Sequence, residues 1–201
     1  MSERLTLAST SPQRRSILAR LRIPFETVVP DYREDDPPDA DPVELVRRHA
    51  AGKARSAWRP GALTIGVDTT VHLDRRVYGK PSGPEDAAAM LLELSGRAHD
   101  VVSGICLLGT GFEVVEHEST LVVFRPIETS EVAAYVESGE WRGRAGGYAI
   151  QGLGGRLVQR IEGDYLNVVG LPAARLLGLL ARHAPNLLQI QAIDQLHSDL
   201  P

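Results

Sequence analysis

Leu63-Thr64-Ile65-Gly66-Val67-Asp68-Thr69-Thr70-Val71 begins as a short apolar, β-branched run behind the loop Arg59-Pro60-Gly61, and then admits an acid. The run predicts a buried strand. Buried acids are rare unless they are paired, hydrogen-bonded or bound to a metal. An acid at the end of a core strand is held rigidly where a sheet opens to a cleft, which suits it to chemistry. Asp68 therefore reads either as a reacting group or as the cap of a turn, and the flanking chain has to decide between them.

The 201 residues suffice for one domain, or two closely joined lobes, with a sizeable core. A hydrophobic fraction of 43% and a charged fraction of 24% are ordinary for a globular chain. The net charge of −4 argues against broad nucleic-acid binding, which needs a basic footprint. A small anion held by a local cluster of cations stays open. The single cysteine, Cys106, lies in the apolar run Ile105-Cys106-Leu107-Leu108 and reads as a small core residue with no internal disulfide partner. Met1-Ser2-Glu3-Arg4 lacks the apolar region of a signal peptide, and no apolar stretch nears a membrane span of about 20 residues. The expectation is a cytoplasmic protein without a membrane partner.

Upstream, Leu5-Thr6-Leu7-Ala8 predicts a first strand, and Ser11-Pro12 the cap and first residue of a helix carrying Ile17, Leu18 and Leu21. Arg14 and Arg15 then fall in the first helical turn, where cations oppose the helix dipole. Such a placement makes sense if an anion binds there, on free amides, serine hydroxyls and a guanidinium; the other reading is a pair of solvated arginines. Phe25–Val29 alternates like a second strand. An acidic, proline-rich segment follows from Pro30 to Pro42, with Asp31, Glu34, Asp35, Asp36, Asp39 and Asp41, and its first acids lie just past a strand end. Asp41-Pro42-Val43-Glu44 predicts a capping box, then a helix to about Trp58 with an apolar stripe of Leu45, Val46, Ala50, Ala54 and Ala57 and with Lys53 at its edge.

Downstream, Val71–Leu73 and Arg76–Tyr78 predict a hairpin about Asp74-Arg75 that returns Gly79-Lys80-Pro81 toward Asp68. A helix from Pro84 to Leu94 ends at Ser95-Gly96. An antiparallel pair spans His99–Leu108 and Phe112–Phe124. Thr129-Ser130-Glu131 starts another helix, and Trp141–Arg144 is a basic loop. Ala145–Gly155 holds five glycines in eleven residues, which implies unusual backbone angles or a close approach to a ligand. It matches neither a P-loop nor a dinucleotide fingerprint. Strands are expected at Leu157–Ile161 and Tyr165–Val169, a last helix after Leu171-Pro172, and a peripheral tail from 185 to 201. The histidines show no zinc-ligand spacing.

Hydroxyls, free amides and Arg14 at a strand-to-helix junction, Lys80 near Asp68, and an amide side chain, Gln151, in a glycine-rich loop make a nucleotide-hydrolysis set. At these residues the chain resembles the Maf family. The resemblance rests on Leu7–Arg15, Gly66-Val67-Asp68-Thr69, Gly79-Lys80-Pro81, Leu94-Ser95-Gly96, Gly147–Gly152 and Val169-Gly170-Leu171-Pro172, in that family's order, within one domain of residues 1–184. It implies an α/β fold, an elongated twisted mixed sheet flanked by helices in two lobes about a central cleft, as in inosine triphosphatase-like proteins. It implies a nucleoside triphosphate pyrophosphatase that cleaves between the α- and β-phosphates, with Mg²⁺ or Mn²⁺ and often as a homodimer.

Carried over residue by residue, the resemblance makes Asp68 the proton acceptor for the attacking water and Glu34 its partner, the two also serving as metal ligands. Arg14, Lys53 and Lys80 face the phosphates. Ser9 and Ser11 supply hydroxyls to the phosphate loop. Thr69 and Gln151 match specificity positions of the dTTP/UTP branch, but Gln13 stands where that branch carries arginine. A modified or purine nucleotide is the alternative substrate. A non-catalytic, nucleotide-sensing regulator of septum formation is the alternative function.

Overall fold

The computed structural model describes residues 4–35, 37, 40–74 and 76–189; Asp36 and Asp39 of the acidic segment, Arg75 of the hairpin and the tail from 190 onward lie outside them. The strands β1 (Leu5–Ala8), β2 (Phe25–Val28) and β3 (Leu63–Leu73) run parallel, with β1 between the other two. The short β4 (Arg76–Tyr78) folds back on the end of β3. The long strands β5 (Ala98–Gly109) and β6 (Phe112–Phe124), then β7 (Val158–Glu162), continue the sheet antiparallel. The order across this mixed sheet is β2-β1-β3-β5-β6-β7, and β4 pairs with β3. Helices α1 (Pro12–Arg20), α2 (Pro42–Ala57), α3 (Pro84–Leu94), α4 (Thr129–Glu137), α5 (Tyr165–Val169) and α6 (Ala173–His183) flank it. Among the described residues, no helix is long and apolar enough to cross a membrane.

The caps that start α1 and α2 are local, and both helices begin where their serine and aspartate predict. Asp41 Oδ1 accepts from the amides of Val43 and Glu44, each at 3.0 Å. Glu44 pairs with Arg47 at 3.2 Å, so the structure shows Asp41's half of the expected capping box. Cys106 is fully buried, and burial pushes its thiol up to about 12, which leaves it inert.

Three expectations are corrected. Tyr165–Val169 is a helical turn, not a strand. Its β-branched and apolar composition is overridden by Asp164, whose carboxylate caps the Leu166 amide at 2.8 Å, and by Asn167, whose buried amide donates to Val101 O and Thr120 Oγ1. Of the expected peripheral tail, Pro185–Leu188 forms a 3₁₀ turn that seats Leu187 in the core.

The third correction places the site. Asp68 does not end its strand, because β3 runs on to Leu73. What ends is its neighbour. β1 pairs with β3 only from Leu63 to Gly66, and β4 pairs with it only from Val71 to Leu73. Between those partners the β3 edge is open at Val67–Thr70. The core changes over at the same place. Leu63, Ile65 and Val67 pack with Leu5, Leu18 and Leu176, whereas Val71 and Leu73 pack with Leu91, Phe124 and Tyr135. Asp68 and Thr69 therefore stand at the junction of two lobes that share β3 and β5.

Helix α2 crosses the sheet at this junction with almost no side-chain layer between. A Cβ on Gly66 would lie 2.1 Å from Ala50 O, and one on Gly104 would lie 2.2 Å from Val46 O. Gly104 is the cross-strand partner of Asp68. The close approach brings Lys53 of α2 down onto Asp68. Gly104→Ala forces backbone against backbone and should cost about 1–3 kcal/mol or more. Urea unfolding measures it, and an unchanged midpoint would mean that the contact does not constrain the packing.

Candidate active site

The open edge of β3 forms the floor of a cleft of about 330 Å³, within the usual range for small-molecule sites of roughly 300–1,000 Å³. One wall is the β1–α1 loop. Ser9 Oγ accepts from Ser11 N and from Arg14 Nη1, both at 3.2 Å. Ser11 Oγ accepts from Arg14 N at 3.4 Å and donates to Gln13 Oε1 at 3.2 Å. Arg14 spans the cleft base, with Nε on Gly170 O at 2.9 Å and Nη2 on Thr69 Oγ1 at 3.2 Å. Thr69 Oγ1 also shares a hydrogen with Ser103 Oγ at 2.8 Å. These partners of Arg14 are neutral. Burial pulls its pKa below the ordinary guanidinium value, while the charges of Asp68 and Glu34 pull the other way. Arg15 faces outward, donating to Thr10 O, so the two adjacent arginines separate into one at the site and one on the surface.

Lys53 is the centre of the site. It is buried, and its Nζ lies 2.5 Å from Asp68 Oδ1 and 2.5 Å from Glu34 Oε1. The lysine at the edge of the helical stripe is thus clasped by the two acids. Their surroundings differ. The Glu34 side chain is 41% exposed and lines the cleft, whereas Asp68 is 14% exposed and sits behind Lys53.

The Glu34 loop is tied to α2 one turn before Lys53. Tyr32 Oη lies 3.0 Å from Nδ1 of the buried His49, and Arg48 Nη2 donates to Asp35 O at 2.5 Å. Tyr32 and His49 went unrecognised in the sequence reading. The signal that could have exposed His49 is its i, i+4 spacing from Lys53, which puts both on one helical face.

The opposite wall comes from two distant loops. Gly146 N donates to Gly79 O at 3.1 Å, which fastens the Arg144–Tyr148 segment to the end of the hairpin bearing Lys80. Lys80, Arg144 and Tyr148 all line the cleft. Tyr148 is held from behind by His99 Nε2 at 2.9 Å and by edge-on contact with Phe124. Gln151 is exposed and is not brought to the cleft. The glycines around it serve close approach within the loop itself: Glu140 accepts from Leu153 N and Gly154 N at 3.0 and 2.9 Å, and from Tyr135 Oη at 3.0 Å.

Ser9, Ser11, Gln13, Arg14, Glu34, Lys53, Thr69 and Lys80 therefore line one cleft, and Asp68 adjoins it through Lys53. Residues 4–183 match the family model described as Maf-like protein. The chain belongs to the Maf family. A relative from Symbiobacterium thermophilum named dTTP/UTP pyrophosphatase is 43% identical over 182 residues, spanning 90% of this chain and 94% of its own. A relative of the same name from Gloeobacter violaceus is 44% identical over 183 residues, spanning 90% and 96%. Among solved structures, a Staphylococcus aureus Ham1 protein aligns over 61% of this chain and 72% of its own, with a TM-score of 0.43 and 12% identity.

In this Maf-family chain the wall behind Tyr148 carries a pH dependence. Burial pulls His99 from 6.5 down to about 4, so between those values the unfolded chain binds a proton that the folded chain refuses. Stability is full above the upper value and falls as pH drops toward the lower one, by up to about 1.4 kcal/mol per unit. His99→Gln retains a polar partner for Tyr148 but cannot titrate in this window. Urea unfolding between about pH 7 and pH 4 should show a flatter stability profile for the variant. Equal slopes would remove His99 as the source.

Proposed function

We propose that this protein hydrolyses nucleoside triphosphates between the α- and β-phosphates, releasing the monophosphate and pyrophosphate. The observation that carries the reading is Lys53 held at 2.5 Å by both Glu34 and Asp68, at the edge of a cleft that Arg14 and Lys80 also line. A structural ion pair needs one acid. A site with two acids, a shared lysine and further cations facing open space is suited to a substrate rich in negative charge. The names of the relatives support the same reaction.

Phosphoryl-type transfer depends mainly on positioning and charge neutralisation. In the proposed step, a water oxygen attacks the α-phosphorus, the bond to the α–β bridging oxygen breaks, and pyrophosphate leaves. Asp68 accepts the proton of the attacking water through the carboxylate oxygen not engaged by Lys53. Arg14, Lys53 and Lys80 neutralise the charge that develops on the leaving group. Ser9 and Ser11 add hydroxyls on the same wall, at the N-terminus of α1, where the helix dipole favours an anion.

Among the described residues, no group of three or more His, Cys, Asp or Glu could hold a metal ion. The two carboxylates fit Mg²⁺ or Mn²⁺ in the form in which such ions are often bound, through one or two acids together with substrate phosphates. Glu34 and Asp68 would hold it, and it would supply charge neutralisation and a lower pKa for bound water. A homodimer belongs to the same proposal on the family resemblance alone.

The base is proposed to be thymine or uracil, on the names of the relatives and on Thr69, which lies in the cleft. Gln13 also lines the cleft, so the position that departs from the dTTP/UTP pattern can meet the substrate. A panel of dTTP, UTP, CTP and 7-methyl-GTP, read by pyrophosphate release with Mg²⁺, tests this. Highest turnover on 7-methyl-GTP would reassign the base. No turnover on any member, with thermal stabilisation by nucleotide, would favour the sensing regulator instead.

Asp68→Asn is nearly isosteric but cannot accept the proton, and turnover should fall by about a hundredfold or more. Glu34→Gln should cost less. A larger loss at Glu34 than at Asp68 would exchange their roles, and parental turnover in both would remove the acids from the chemistry.

A further inference from the structure

The cations of the cleft differ in what already holds them. Lys53 is paired with two acids, and Arg14 is hydrogen-bonded to Gly170, Ser9 and Thr69. Arg144 lines the same cleft with no ion pair or side-chain hydrogen bond among the described residues. Its Nε is buried and lacks an acceptor. A buried guanidinium N–H without a partner is costly, and such groups in native structures call for an explanation. The carboxylate of Glu140, four residues away, is already engaged by Leu153 N, Gly154 N and Tyr135 Oη.

The position of Arg144 is set by the loop that carries it. The bond from Gly146 N to Gly79 O ties that loop to the residue before Lys80. Packing reinforces the tie, since a Cβ on Gly147 would meet Pro81 at 3.3 Å. Lys80, which is exposed and also makes no ion pair among the described residues, stands on the same wall. These two cations line the same cleft as Ser9–Arg14. Guanidinium presents planar paired donors that match phosphate oxygens, whereas ammonium acts as a point charge.

We propose that Arg144 is a substrate-binding residue that pairs with Lys80 to clamp the pyrophosphoryl part of the nucleotide, its guanidinium turning from this unsatisfied position to donate to phosphate oxygens. The proposal rests on the pyrophosphatase reading. Arg144 completes a ring of cations on both walls of the cleft. Its charge is available to the substrate because no described side chain pairs with it.

Calorimetric titration with three probes tests this: the non-hydrolysable α,β-imido-dUTP, inorganic pyrophosphate and dUMP. Arg144→Ala should weaken α,β-imido-dUTP and pyrophosphate by about ten- to a hundredfold, the size of one or two charge-assisted hydrogen bonds. Binding of dUMP should change by less than about threefold. Parental affinity for α,β-imido-dUTP in Arg144→Ala would overturn the proposal. Equal weakening of dUMP would also overturn it, by showing that Arg144 supports the loop rather than the phosphates. If the alanine variant does not fold, Arg144→Lys replaces it. That variant keeps the charge without the fork and should bind α,β-imido-dUTP several-fold more weakly than the parent, and parental affinity would again overturn the proposal. Lys80→Ala separates the two readings. If it loses affinity while the Arg144 variants do not, the clamp alone fails. If the parent binds none of the probes, the pyrophosphatase reading fails with it.

Discussion

The packing of α2 directly onto β3 and β5 is the constraint from which the site follows. Two glycines, Gly66 and Gly104, let helix backbone meet sheet backbone where any Cβ would collide with a carbonyl. Only with the helix at that depth can Lys53 reach Asp68 at 2.5 Å. His49, one turn earlier on the same helix, anchors Tyr32 and with it the loop that carries Glu34. Helix, strand and loop thus converge on one ammonium. A lysine buried this deeply would be unfavourable without its acids, and each acid is stabilised by the lysine it shares. The arrangement is held by mutual compensation, which gives it a defined geometry before any substrate enters.

The cleft exists because β3 changes neighbours. β1 stops opposite Gly66, β4 starts opposite Val71, and between them the edge of β3 has no strand neighbour on that side. This has the physical logic of a topological switch point, where diverging chain leaves a crevice at strand ends. Here the crevice lies along the middle of an eleven-residue strand, at the junction of two hydrophobic cores. A rigid floor lies between walls that belong to different lobes, so groups from the β1–α1 loop and from the Lys80 and Arg144 loops can meet across one small ligand.

The electrostatic pattern also has a direction. Lys53 is paired with two acids, Arg14 is hydrogen-bonded to neutral protein groups, and Lys80 and Arg144 make no ion pair among the described residues. Positive charge is therefore offset near Asp68 and uncompensated on the opposite wall. A nucleotide with its α-phosphate toward the acids and its pyrophosphoryl end toward the free cations would match that gradient.

Much of this was written locally. Ser11-Pro12 and Asp41-Pro42 mark helix starts because a side-chain oxygen satisfies free amides and proline tolerates the first turn. The apolar run from Leu63 to Val67 marks a core strand, and an acid within such a run needs a partner. The motifs around Ser9, Asp68 and Lys80 were enough to suggest the family and most of the residues that the fold brings to one cleft. Local reading erred where distant contacts overruled it. Asn167 bonds to β5 and β6 and holds a β-branched segment as a helix. Gln151, by contrast, is placed by its loop, where Glu140 binds the amides of Leu153 and Gly154, and it is exposed outside the cleft lining. The sequence by itself determined which chemistry was available, because residue types, caps and periodicity are properties of neighbouring positions. The tertiary structure alone decided which charges are paired, where β1 leaves the edge of β3 open, and that Lys80 and Arg144 share a wall, because strand register and helix depth are set by contacts between residues far apart in the chain.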